Sequence, residues 1–217
     1  MSASHFTQSQ LLEKFETALA NAEHPGIAPQ LATAGYDAGV LAADRDLLAL
    51  TRTARDAQQT EAAEARVAHE TEAMAEKAAR AAFTLLHRLI HLGDRRAKDL
   101  DIESILQTKA LPAPEAAFLD YATALLERIG ANAGVAAALA GVGVTTARVA
   151  ELRGLLDAMR QANIAQDKER GEAEQATAVF HTLVEQVRLA YDLLDITARQ
   201  ALSATPQMLE LMGFGAV

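Results

Sequence analysis

The chain has no cysteine and no tryptophan, only five prolines, and aromatic residues at 4% of its 217 positions. Without cysteine there is no disulfide, no thiolate metal site and no cysteine nucleophile, a composition compatible with a reducing compartment. The prolines stand at Pro25, Pro29, Pro112, Pro114 and Pro206. Two long stretches between them are therefore free of the residue that most strongly breaks a helix. Basic runs are lacking as well: nothing longer than Arg95-Arg96 occurs, and the net charge is −9 with a pI near 5.1. That balance argues against binding a phosphate backbone, so no nucleic-acid partner is expected. No apolar run reaches membrane-spanning length, and Met1 to Phe6 lacks a basic segment leading into an apolar one. Neither a membrane anchor nor a secretory signal is expected, which leaves the cytoplasm as the expected compartment.

What the chain does have is alanine. Half of the residues are hydrophobic, yet much of that half is Ala, which has the best intrinsic helix propensity and costs no side-chain entropy. The composition predicts an all-α protein with a thin core, because an Ala methyl buries little apolar area.

Laid over itself at an offset of 108, the chain matches without a gap. Over the 62 positions from Leu31 to Leu92, set against Leu139 to Gln200, 19 residues are identical. Shared Ala could be composition alone. Leu47-Leu48 with Leu155-Leu156, Gly35 with Gly143, Arg45 with Arg153, Arg52 with Arg160, Gln58 with Gln166 and Glu61 with Glu169 in one register indicate two copies of one unit. Repeat 1 spans 1–110 and repeat 2 spans 111–217, together forming one structural unit.

Each repeat opens with a short amphipathic helix. The first runs over 7–22, with Thr7 or Ser9 as cap and Leu11, Leu12, Phe15 and Leu19 as its stripe, and stops at His24-Pro25-Gly26. The second runs over 114–130, with Phe118, Tyr121, Leu125 and Ile129 as its stripe, and ends at Gly130, Asn132 and Gly134. Phe15 to Leu19 echoes Tyr121 to Leu125 at offset 106, so a two-residue length change falls before the main register begins. Long helices are expected over 36–92 and 144–202. A short helix from Ile102 to Lys109, capped by Asp101, lies in the connector, and Pro206 opens a last apolar turn over 206–213.

Large apolar residues gather at the ends of both long segments, leaving middles of Ala, Glu and Gln. If the connecting elements pack locally, the second long helix runs back antiparallel to the first. The expected fold is two small cores joined by a coiled-coil-like stalk, with pseudo-twofold symmetry. Ala54, Ala57, Ala65 and Ala68, with Ala162, Ala165, Ala173 and Ala176, would form a close-packed seam.

No catalytic or cofactor motif stands above composition. Glu61, Glu64, Glu169 and Glu172 are the weak candidates for a metal: they occupy matching positions and could bring carboxylates together near the middle of an antiparallel pair. They lack the Glu-x-x-His of a di-iron bundle, and a solvated charged face is the favoured reading. His87 and His91 have the i, i+4 spacing of metal ligands. With Leu85, Leu86 and Leu89 as the buried stripe they fall on the outer face, and no His-Glu-x-x-His is present. His69 and His181 are weaker. Gly141 to Thr146 is a helix-to-helix turn with Thr145 or Thr146 as cap, not a phosphate loop. Met208, Leu209, Leu211 and Met212 form either a lid on one core, the favoured reading, or a hook for a partner.

Gly35-Tyr36, Ala162-Asn163-Ile164-Ala165-Gln166, Lys168 to Ala173 and the ending Pro206 to Gly213 resemble stretches in a group of uncharacterised bacterial all-helical proteins. The resemblance implies the all-helical fold and transfers no functional residue. The expected function is a non-enzymatic structural or self-assembling scaffold whose partner is itself, as a homo-oligomer or fibre, with no cofactor. The alternative is a ligand- or metal-binding bundle using the central glutamates or a pocket in an end core.

Overall fold

The computed structural model describes residues 6–96, 102–108 and 110–215, and every regular element among them is helical. In chain order these are α1 (Gln8–Ala22), α2 (Ala28–Thr33), α3 (Ala38–Arg96), α4 (Glu115–Ala131), α5 (Ala133–Ala140), α6 (Thr146–Ala201) and α7 (Pro206–Leu211). A 3₁₀ turn, Glu103–Leu106, follows α3. The two long helices are continuous, without a break at Gln58 to Thr60.

Local chemistry sets the boundaries. Thr7 caps α1 in a full capping box with Gln10, and Asp37 Oδ1 accepts the Gly39 and Val40 amides at 2.9 and 3.1 Å to start α3. Thr145 is the cap of α6, its hydroxyl accepting the Arg148 amide at 3.2 Å. Two short helices, α2 and α5, stand where stop signals alone were expected. Asn132 explains the second: it ends α4 and its side chain then accepts the Val135 amide at 3.1 Å, capping α5. Gly93, expected to end the first long helix, lies buried inside α3. A Cβ there would meet Leu139 Cδ2 at 2.9 Å, so the missing side chain is what lets α5 pack close. The expected helix from Ile102 is only the 3₁₀ turn, started by Asp94 Oδ1, which accepts the Ile102 and Glu103 amides. Its proposed cap Asp101 and end Lys109 lie outside the described residues.

Three turns end in the same motif. Gly35, Gly143 and Gly213 have φ of +91°, +92° and +84°. In each, the next amide reaches back to a buried leucine: Tyr36 to Leu31 O, Val144 to Leu139 O and Phe214 to Leu209 O, at 2.9, 3.0 and 3.0 Å. The following side chain packs in the same core as that leucine. This is the Schellman stop with its hydrophobic contact.

Contacts gather in two compact units. The first comprises Met1–Ala63 and Gly171–Val217: α1, α2, the start of α3, the end of α6, and α7. Its core joins Leu11, Phe15 and Leu19 of α1 to Leu41 and Leu48 of α3 and to Phe180, Val187, Tyr191 and Leu194 of α6. The first half of α3 packs against the second half of α6 in this unit, with Gln58 Nε2 donating to Thr177 Oγ1 at 3.4 Å. The second unit, Glu64–Arg170, holds the end of α3, the 3₁₀ turn, α4, α5 and the start of α6. Its core joins Phe83, Leu86 and Ile90 of α3 to Phe118, Leu125 and Ile129 of α4 and to Leu152, Leu156 and Met159 of α6. The expected clustering of large apolar residues in the terminal stretches of each long helix is thus observed, with Leu48 and Leu156, 108 positions apart, buried in their respective cores.

The glycines give two predictions of opposite sign. Gly143→Ala places a side chain at positive φ and should cost about 1–2 kcal/mol. Gly154 is exposed inside α6 with nothing within 4 Å of a Cβ, so Gly154→Ala should add about 0.8–1 kcal/mol. Urea unfolding followed by circular dichroism reads both, and equal signs would contradict the backbone assignment.

Candidate functional site

Of the glutamates singled out by position, Glu64 and Glu172 are exposed and Glu61 and Glu169 are half-buried. In the second unit, Glu64 of α3 and Glu169 of α6 bring carboxylate oxygens within 4.8 Å. Glu61 lies one turn before Glu64 on α3, and Glu172 is exposed. Lys168 Nζ binds one oxygen of Glu169 at 3.0 Å, while the other oxygen is buried without a hydrogen bond. No histidine joins the carboxylates that come together here, among the described residues.

His87 departs from expectation. It is 7% exposed, and its Nε2 shares a 2.6 Å hydrogen bond with the Tyr121 hydroxyl of α4. The buried stripe of α3 is Ala79, Phe83, Leu86, His87 and Ile90, whereas Leu85 is 45% exposed and Leu89 half-buried. The phase was misread because Leu85 was assigned to the core, which turned His87 outward. His91 is half-buried and faces Glu103 at 3.4 Å, so the two imidazoles do not share a partner. Burial, with His91 nearby, holds His87 below its ordinary value of 6.5 and keeps it neutral. The residues 108 positions on are Asp195 and Arg199, an ion pair at 2.8 Å. Both units therefore place a polar pair at this point of the long helix. His69 faces Glu72 at 3.4 Å, and His181 lies 3.5 Å from the Gln8 amide.

Each unit has a cleft between its short first helix and the start of a long one. In the first, about 460 Å³ is lined by Glu16, Leu19, Glu23, Arg45, Leu48 and Arg52, among others. Arg52 forks onto Glu16, Nη1 and Nη2 donating to Oε1 and Oε2 at 2.7 and 2.6 Å. Arg45 donates to Glu23 at 2.5 Å and to the Leu19 carbonyl at 3.2 Å. Those arginines hold both carboxyls below the usual range. In the second unit, about 210 Å³ is lined by Thr123, Leu126, Glu127, Arg153, Leu156, Asp157 and Arg160. Arg160 donates to Thr123 Oγ1 at 2.6 Å and to Asp157 at 3.0 Å. Glu16 and Thr123 thus take matching places at offset 107. So do Asn21 and Arg128, which donate to the carbonyls of Leu211 and Ile105 respectively. The echo at offset 106 is one residue out of the register that the contacts define.

A third feature is apolar and exposed. On α6, within the first unit, Leu189, Leu193 and Ile196 are 71%, 55% and 64% exposed, at the spacing of a coiled-coil seam. Leu85 of the second unit, 108 positions before Leu193, is exposed as well, and so is Leu92. Sequence reasoning missed this stripe because leucine at helical spacing reads as core, and α6 carries a second, buried stripe through Val187, Tyr191 and Leu194. Of the terminal segment, Leu209 and Met212 are buried in the first core and Met208 packs against it, while Leu211 is exposed. The small residues of the seam sit mostly half-buried in their own units: Ala54, Ala173 and Ala176 in the first, Ala65, Ala68 and Ala162 in the second. Ala57 and Ala165 are exposed.

Comparison with protein-family models, with curated proteins and with solved structures finds no match to this chain. Among the described residues, no helix is long and apolar enough to cross a membrane.

His87 makes stability depend on pH. Its folded pKa lies below the unfolded 6.5, so unfolding takes up a proton once pH falls through that value. The stabilisation is complete above pH 6.5 and declines as pH drops toward the depressed folded value. Melting of wild type and His87→Gln, whose amide can still meet Tyr121 but does not titrate, should converge as pH falls from 7.5 to 5. A constant gap would show that His87 is not held neutral.

Proposed function

We propose that this chain is an internally duplicated, non-enzymatic helical scaffold that associates with further copies of itself. The observation that carries the reading is the uncovered stripe Leu189, Leu193 and Ile196, together with Leu85 at the matching position of the other unit. Single exposed leucines are ordinary, but three in one row on a helix that already buries another face mark a surface with a partner. The duplication is supported by residues 108 positions apart that do the same work: Gly35 and Gly143 stop helices, Leu48 and Leu156 fill cores, and Leu85 and Leu193 face outward.

Charge favours a second copy as the occupant. The chain as a whole carries −9, which disfavours an anionic lipid surface or nucleic acid. Beside the stripe the signs are mixed, with exposed Glu185 paired to Arg188, and Arg199 paired to the buried Asp195. A rim of both signs meets a copy of itself without the repulsion that the net charge would bring.

Sedimentation velocity over a hundredfold concentration range tests this. Wild type should shift from monomer to larger species, and Leu189→Gln with Leu193→Glu should remain monomeric with a melting temperature within a few degrees of wild type, because the replaced side chains bury little. A wild-type monomer at every concentration would refute the proposal.

A further inference from the structure

The two clefts hold the same arginines and differ in what the arginines hold. Arg45 and Arg52 of the first unit match Arg153 and Arg160 of the second, seven residues apart in each helix. In the first unit α1 supplies both counter-ions, Glu16 and Glu23. In the second, α4 has Thr123 where Glu16 stands and Gly130 where Glu23 stands, at the offset of 107 that the contacts define. Neither matching α4 position carries a carboxylate, while both guanidinium groups are present. Arg160 keeps the Thr123 hydroxyl and the exposed Asp157; Arg153 has no hydrogen-bond or ion-pair partner among the described residues, although it lines the cleft.

We infer that the cleft between α4 and α6 is a carboxylate-binding site in which Arg153 and Arg160 receive from a separate molecule the group that Glu23 and Glu16 supply within the first unit. The inference rests on the duplication proposed above. Arginine presents a rigid fork matched to a carboxylate, and the Arg52 to Glu16 pair shows that geometry in this chain. Thr123 Oγ1, already 2.6 Å from Arg160, offers a hydroxyl donor to the same oxygen. The size and charge of the cleft narrow the ligand. At about 210 Å³ it is smaller than the usual pocket for a cofactor or drug-sized molecule. Glu127 and Asp157 line it too and repel a second negative group. The ligand is therefore one carboxylate on a short stem, either a free monocarboxylic acid or a glutamate side chain of another protein.

The test is a nuclear magnetic resonance titration of the full chain, following the arginine Nε–Hε signals. One arm uses N-acetylglycine and the other an acetylated, amidated Ala-Glu-Ala peptide. Either probe should move the Arg153 and Arg160 signals saturably and leave Arg45 and Arg52 still. Tighter binding of the peptide by tenfold or more identifies a protein glutamate as the source, and equal or tighter binding of N-acetylglycine identifies a free acid. Arg153→Gln, an exposed change that should not alter melting, is expected to weaken binding by roughly tenfold or more, the effect of losing a charge-assisted pair. Arg170→Gln, outside the cleft, should bind as wild type does. In the first unit, Glu16→Thr with Glu23→Gly should make Arg45 and Arg52 respond as well, with Glu16→Gln alone as the milder variant if the double change lowers helicity. No saturable shift in wild type, undiminished binding by Arg153→Gln, or silent Arg45 and Arg52 in a folded variant would each overturn the inference. Because the titration does not depend on association, a chain that stays monomeric but binds the probe would remove the scaffold reading and leave the site.

Discussion

A helix can bury only one broad face, and in this chain both long helices bury large apolar residues over their terminal stretches. Everything else follows from covering those stretches. Each end needs short helices to complete a core, which α1, α2 and α7 provide in the first unit and α4, α5 and the 3₁₀ turn in the second. Because α3 starts in one unit and ends in the other, and α6 does the reverse, the first unit is built from two separate stretches of sequence, 1–63 and 171–217, whereas the second is the single stretch 64–170. Loss of either core would expose the apolar ends of both long helices, so the cores are tied to one another through the chain itself.

The legible part of the fold came from breakers and periodicity. Proline positions and the run of residues without turn signals marked the long helices to within a few residues, and the Schellman glycines marked their approaches. Two kinds of residue were misread. Asn132 acts as a stop and a start at once, and stop signals alone do not show that six or eight further residues will coil before the next turn. Leu85 is apolar at helical spacing yet exposed, and one leucine assigned to the wrong face rotates its neighbours, which is how His87 was turned outward. The candidate site was less legible still. Arg45 and Arg52 were visible as matched arginines, but that their counter-ions come from α1, and that α4 lacks them, depends on which residues face across a helix pair.

Matching positions that differ in chemistry separate what the fold requires from what it tolerates. His87 with Tyr121 and Asp195 with Arg199 occupy the same turn of their helices, one a neutral hydrogen bond and the other an ion pair. Tyr36 and Asp44, joined through the tyrosine hydroxyl, correspond to Val144 and Leu152 at the offset of 108, so the first unit has a polar pair where the second has only hydrocarbon. Burial and the Asp44 charge push the Tyr36 hydroxyl up. The backbone accepts either solution provided that each buried polar atom finds a partner.

The arginines fall on the other side of that division. A buried pair can be replaced by hydrocarbon without loss, whereas an exposed arginine contributes little to stability whether or not it is paired. Arg52 joins α1 to α3 through Glu16, a contact that positions a helix. Arg153 joins α6 to nothing among the described residues. Arg153 thus leaves an open guanidinium in the cleft of the second unit, where the arginines of the first are closed off by Glu23 and Glu16.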